Sequence, residues 1–403
     1  MACWVVLGGA TSAAAITVSV DYTYDTSNFF GSGNPQGATA GMQARASMEA
    51  AASFFSDILN DTFSAIPLPP PPYYSSVSDG VVTWFFEERF EHPSTGAPLT
   101  ILNPTVPADT YLIYAGARSL PGDTAGVGSV GGFRCCTTVS GTNSFSPADI
   151  NYINSSTTNF ENAAVRRGEP SGFVRWGGTI AFDTDLSPAW HFNHTTLPSG
   201  NVRDFYSVAV HELGHALGFG AQSSNSETEW ESLVSGSTFT GINARAQYGG
   251  NPVPLYFDLA HWEQGTPSVV YGGTAPQEAA MDPNLQNGIR KVFTELDAAA
   301  LRDIGWEVVP LPGPFGDYNN NGVVDAADYV VWRKRLGQSV TIPNDQSPGM
   351  VSPADYTVWR TNFGKTLSGG SGATLAAAPE PVGALLALVG GCGLFVARRK
   401  RRR

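Results

Sequence analysis

The sequence predicts an α+β fold followed by a small α-helical module, on three observations. Short alternating segments fill its first half, an amphipathic helix with unusual chemistry lies near its middle, and one loop–helix pattern is written twice toward its end. Ile16–Tyr24 (ITVSVDYTY) alternates and reads as a strand. Met42–Leu59 places Met48, Ala51, Phe55 and Leu59 at the spacing of one helix face. The run Pro67–Pro72 breaks regular structure and makes an exposed, rigid connector. Val81–Phe90, Tyr111–Ala117 and Thr179–Phe182 read as further strands. Gly116–Gly132 is glycine-rich but lacks the Gly-Lys-Ser/Thr ending of a phosphate loop, so a flexible connection is expected there.

Composition narrows the function classes. A chain of 403 residues, 42% of them hydrophobic, has room for two or more domains. The net charge is −12, and six positive charges lie in the terminal run Arg398–Arg403, so the body ahead of it is more acidic still. Such a body argues against nucleic acid as a partner and is compatible with bound cations. Little lysine with abundant Gly, Thr, Ser and Asn points to an exported protein. Residues 1–15 end in Ala13-x-Ala15 and read as a signal peptide, although no Lys or Arg precedes their apolar run. Four cysteines are too few for a disulfide framework. Adjacent Cys135 and Cys136 are either reduced or joined to each other.

The central stretch is Asp204–Gly220, DFYSVAVHELGHALGFG. Asp204 is placed to cap a helix, and Gly218 and Gly220 to stop it. On that helix His211 and His215, four residues apart, share a face and can aim both imidazoles at one zinc ion. Glu212 stands about 100° around the helix, where a carboxylate can act as general base on a water without ligating the metal. Val210, Leu213 and Leu217 form an apolar face for burial. A catalytic zinc keeps three protein ligands. The compact pattern with a third histidine six residues on is absent, because that residue is Ala221. His261, in Asp258-Leu-Ala-His-Trp-Glu263, is the one histidine after the helix. The acidic cluster Glu227, Glu229 and Glu231 is the rival source of a third ligand, in a polar stretch that also reads as solvated loop or helix start. His191 and His194 have a metal-compatible spacing but read more simply as strand-end or loop residues.

The order of helix, glycine turn, long insertion, His-Trp-Glu, Met281-Asp-Pro and apolar-periodic Thr294–Ile304 resembles the leishmanolysin-like branch of the metzincin zinc endopeptidases, over Thr179–Val309. The resemblance implies a zinc protease domain over 16–309, with His211, His215 and His261 as ligands and Glu212 as the base. Met281 would be the Met-turn residue, and the substrate a protein or peptide. The alternative from another class is a catalytically inactive scaffold acting as a calcium-dependent surface or matrix binding protein.

Beyond a proline-rich linker at 310–314, Asp317, Asn319, Asn321, Asp325 and Asp328 occupy positions 1, 3, 5, 9 and 12 of a calcium loop. Gly322 holds the sharp-turn position 6, and Val323 offers its backbone carbonyl at position 7. Asp355-Tyr-Thr-Val-Trp359-Arg360 repeats Asp328-Tyr-Val-Val-Trp332-Arg333. In that alignment Pro348 falls at position 5 of the second loop and offers no side-chain oxygen, so the second loop is expected to bind calcium weakly or not at all. The duplicated loop–helix over 315–364 resembles a type I dockerin module, which implies a cohesin-type partner. A linker at 365–378 precedes Pro379-Glu380-Pro381, the apolar run Val382–Ala397 and the basic tail. That trio resembles the PEP-CTERM sorting signal of bacteria. It implies export to the cell surface through membrane sorting machinery, with a membrane-spanning segment in 379–403.

Overall fold

The computed structural model describes residues 16–165, 175–184, 187–221, 228–273, 275–310, 313–340, 342–345 and 350–366. Residues 1–15 and 379–403, where a signal peptide and a sorting signal are expected, lie outside the described residues, as do Glu227 and Pro348. The fold is mixed α+β. No helix among the described residues is long and apolar enough to cross a membrane.

The first half builds two sheets. Their strands in chain order are β1 (Thr17–Asp21), β2 (Tyr73–Tyr74), β3 (Val81–Glu91), β4 (Pro98–Leu102), β5 (Thr110–Arg118), β6 (Gly126–Val130), β7 (Gly132–Ser140) and β8 (Gly177–Asp183). One sheet runs β1-β5-β8-β6, with β1, β5 and β8 parallel and β6 antiparallel at the edge. In the other, β3 pairs β2, β4 and β7, all antiparallel. Alternation along β5 serves two cores at once. Tyr111, Ile113, Ala115 and Ala117 enter the larger core, while Leu112 and Tyr114 pack into a smaller one shared with β3.

The larger core is closed by α1 (Ala38–Ile58) and the helix that carries the histidine pair. On α1 the apolar row Met48, Ala51 and Phe55 is fully buried. Later in the chain α2 (Pro147–Val165) covers part of the β3 sheet, and α3 (Phe205–Ala216) crosses beneath β6. The proline run 67–72 forms no regular element, as expected.

Gly116–Gly132 departs from its expectation as a connector. Its second half is strand β6, a paired edge strand. The glycines serve close approach: a Cβ at Gly128 would lie 2.1 Å from the backbone oxygen of Glu212, and one at Gly131 would lie 2.2 Å from the Trp176 ring. Cys135 and Cys136 on β7 are joined by a disulfide.

Short helices α4 (Glu229–Ser232) and α5 (Ile242–Gln247) precede α6 (Glu295–Asp303). Contacts with α1 hold the chain as far as Val309, whose N–H donates to the Ile58 carbonyl at 2.8 Å. Beyond lie α7 (Ala326–Arg335) and α8 (Pro353–Asn362), with a core of their own around Tyr318, Trp332, Ile342 and Val351. The two loop–helix units pack reciprocally. Trp332 donates its indole N–H to the Ser352 carbonyl at 2.8 Å, and the equivalent Trp359 donates to the Asp325 carbonyl at 2.7 Å. Each repeat therefore caps the other.

Candidate metal centre

Local chemistry fixes α3 at both ends. Asp204 accepts from the Ser207 N–H at 3.1 Å, and its buried carboxylate is also gripped by the Arg290 guanidinium at 2.8 and 2.9 Å. At the other end Gly218 (φ 107°) takes the left-handed position of a Schellman turn. Its N–H donates to the His215 carbonyl, and that of Phe219 to the Gly214 carbonyl at 3.0 Å. The turn delivers the Phe219 carbonyl to His215 Nδ1 at 2.9 Å. Gly220 follows at φ 70°, where a Cβ would meet the Ala260 carbonyl at 2.4 Å. That glycine lets the chain pass against the loop bearing His261.

His261 lies 46 residues after His215, yet its Nε2 is 3.1 Å from that of His215 and 3.2 Å from that of His211. The third edge of the triangle, between His211 and His215, is 3.1 Å. An aromatic nest brings the distant segment into place. Trp262 stacks edge-on to Phe219 at 5.0 Å, and Trp230 bridges Phe219 and Phe239 at 4.2 and 4.3 Å. Trp230 also donates to the Leu259 carbonyl at 2.9 Å. Each such pair is worth about 0.5–1.5 kcal/mol beyond its buried area.

Every histidine is held from behind. Nδ1 of His211 donates to the Ala280 carbonyl at 2.8 Å, that of His215 to Phe219, and that of His261 to the Asp258 carboxylate at 2.8 Å. With all three Nδ1 atoms spent on acceptors, the three converging Nε2 atoms present lone pairs. Nitrogens at 2.0–2.1 Å from a four-coordinate zinc stand about 3.3 Å apart, close to the spacing here. The residues present therefore fit the ion. Among the described residues no other group of three His, Cys, Asp or Glu side chains brings its ligand atoms all within 4.8 Å.

No family model, no curated protein and no solved structure matches this chain. The chemistry of the centre must be read from its own atoms.

Burial and the neighbouring histidines hold His211 well below the usual imidazole range, and burial takes His215 down to about 3. Both are thus neutral, as ligands must be. Glu212 lies beside them, 5% exposed. Burial pushes its carboxyl up to about 8, opposed by a backbone hydrogen bond from Gly128. The three histidines, Glu212 and the whole of β6 line one cleft of about 1060 Å³. Met281 packs below: a Cβ at Gly214 would lie 2.6 Å from its sulfur, so glycine at that position makes room for the thioether.

The remaining candidates lie elsewhere. Glu231 reaches back to the Thr228 N–H at 2.9 Å and caps α4, and Glu229 sits in the same first turn. His191 Nε2 meets the Thr196 carbonyl at 2.9 Å, and His194 packs near Ser47. Asp297 was not singled out by its sequence setting. Fully buried, it accepts from the backbone N–H groups of Ala280, Met281 and Thr294 and from the Trp262 indole. One carboxylate thereby ties the Met281 turn, the His261 segment and the start of α6 together. Its only sequence signal was the Thr294-x-x-Asp297 capping pattern.

In the C-terminal loop Asp317 accepts from the N–H groups of Asn321 and Gly322 at 3.0 and 2.8 Å. Asp328 accepts from Asn319 and Asp325 at 2.9 and 2.7 Å, and Asn321 from Val323 at 3.0 Å. Asp325 caps α7 through Ala327. Gly322 takes φ 83°, the conformation its turn position requires. The loop thus makes the sharp turn expected at Gly322, with its oxygens engaged by its own backbone. In the second repeat Asn344 donates to the Asp317 carbonyl at 2.8 Å and to Asn320 Oδ1 at 3.0 Å.

Proposed function

We propose that this protein is an exported zinc endopeptidase of the leishmanolysin-like metzincin type, bearing a dockerin-like calcium module and a sorting signal. The observation that carries the reading is the triangle of anchored histidine Nε2 atoms, 3.1–3.2 Å on each edge, beside a buried glutamate in an open cleft. His211, His215 and His261 would hold the ion. Zinc bound there would supply Lewis acidity toward a water and a carbonyl oxygen.

The chain's own groups do the rest. Glu212 accepts a proton from the attacking water and returns it to the nitrogen of the departing amine. A carboxyl raised toward neutrality suits both halves of that exchange, since it holds the proton until the amine leaves. Strand β6 is a sheet edge facing the cleft, so an extended peptide can lie along it through main-chain hydrogen bonds. Its glycines let the strand lie close against Glu212, since a Cβ at Gly126 would fall 2.7 Å from the Glu212 carboxylate oxygen. The dockerin-like repeats would bind calcium and a cohesin-type partner, and the C-terminal signal would direct the protein to the cell surface.

The test is cleavage of casein by the purified full chain. Activity should vanish on treatment with a strong chelator and return with stoichiometric zinc. A protein that binds zinc through the three histidines yet cleaves no casein or peptide library would instead be a binding scaffold.

A further inference from the structure

Strand β6 and Glu212 meet at two glycines, and the two do different things. Along a strand the Cβ positions alternate, so those of Gly126 and Gly128 share the face that rests on α3. A Cβ at Gly128 would lie 2.1 Å from the Glu212 carbonyl oxygen and 2.8 Å from the carbonyl carbon. That glycine sets how closely the strand and helix backbones approach. A Cβ at Gly126 would instead meet the far end of the side chain, with Cγ and Oε1 at 2.7 Å and Cδ at 2.9 Å.

The backbone itself does not call for glycine at 126. Its φ lies outside the left-handed region, it pairs regularly with Phe182, and Val127 beside it carries a side chain in the same strand. What excludes a methyl group there is the Glu212 carboxylate. That carboxylate is held between strand and helix: the Gly128 N–H donates to it, and the space without a Cβ at Gly126 seats its end. From this seat Glu212 lines the cleft shared with His211, His215 and His261.

We propose that Gly126 is a positioning residue for the reaction, whose missing side chain forms the seat that aims the Glu212 carboxylate at the metal centre. The strand that can pair with an extended peptide thereby also places the base that serves it. A methyl group at 126 would stand perpendicular to the sheet, whereas the edge groups that pair with a peptide lie in its plane. Moving the 2.7 Å contact out to about 3.5 Å displaces the carboxylate by about 0.8 Å and leaves the strand edge free. A misplacement of about 1 Å costs up to about 10²-fold in rate. The assignment rests on the peptidase reading above, and the experiment separates the two.

Gly126→Ala in the zinc-loaded full chain should leave zinc stoichiometry and KM unchanged and lower kcat by about 10–10²-fold. Glu212→Ala empties the seat, so adding Gly126→Ala to it should change the residual kcat by less than about twofold. A peptide with a phosphinic group in place of the scissile amide gives a readout without turnover. Its affinity, measured by calorimetry, should fall about tenfold or more with Gly126→Ala alone and no further when Glu212→Ala is already present. A cleaved product peptide should bind equally well throughout. Gly126→Ala within about threefold of wild type in both kcat and phosphinate affinity would overturn the role. So would an equal fall with and without Glu212→Ala, which would place the effect on the substrate path, and so would loss of zinc, which would make Gly126 a structural residue. If wild type binds zinc and phosphinate but cleaves no peptide, the peptidase reading falls while the calorimetric cycle still decides Gly126. Wild type that binds neither removes both.

Discussion

His211, His215 and His261 come from segments 46 residues apart, whereas the oxygen donors Asp317 to Asp328 share one short loop. The distant set is the better assembled. Its nitrogens already stand 3.1–3.2 Å apart, each locked by a partner on its other ring nitrogen. The contiguous set is not gathered in this way: its carboxylates accept hydrogen bonds from their own loop, and its three acids do not bring their oxygens within 4.8 Å of one another. The difference lies in what supports each. The histidines are mounted on α3, a Schellman turn and an aromatic nest in the largest core, so the fold itself holds their geometry. The loop depends on its neighbour repeat and on its own backbone, so an ion has more ordering left to do.

The largest effect expected is at the base. Glu212→Gln should keep zinc and lower peptidase activity by about 10²–10⁴-fold, because the ligands are spared and the proton acceptor is lost. Activity above a tenth of wild type would remove Glu212 from that role. A smaller loss tests whether the histidines are held as rigidly as the comparison claims. Asp258→Ala leaves His261 Nδ1 without its carboxylate and should weaken zinc binding by about 10–100-fold, read by competition with a chelator. Unchanged affinity would show that the aromatic nest alone positions the ring. The mildest effect concerns the loop. Asp317→Ala combined with Asp328→Ala should abolish the calcium-dependent gain in far-UV circular dichroism. Asn344→Ala, which removes neutral hydrogen bonds worth about 1 kcal/mol each, should only shift its midpoint. Equal losses would place a working ion site in the second repeat as well.

Much of the centre was legible in the sequence, because its signals are periodic or chemical. The four-residue spacing of His211 and His215, the Asp204 cap and the Gly218 stop are local, and His261 followed from the absence of another histidine beyond the helix. Strand β1 is legible through side-chain alternation, and β3, β5 and β8 through runs rich in apolar and aromatic residues. Strand β6 is not, since Gly126 and Gly128 lack the side chains that make a pattern visible. Their meaning emerges only when Glu212 occupies the space where their Cβ atoms would be. Asp297 is hidden for a different reason. Its role depends on which backbone groups lie opposite it, and that is set by tertiary pairing across 16 residues.

The central claim is that three histidines, and no glutamate, form the metal centre. Zinc content after dialysis against a mild chelator tests it most directly, in wild type, in His261→Ala and in a variant with Glu227, Glu229 and Glu231 all replaced by Gln. The account predicts one zinc per chain in wild type and in the triple-Gln protein, with zinc lost from His261→Ala. Zinc retained in His261→Ala but lost from the triple-Gln protein would contradict it and place a glutamate in the third ligand position.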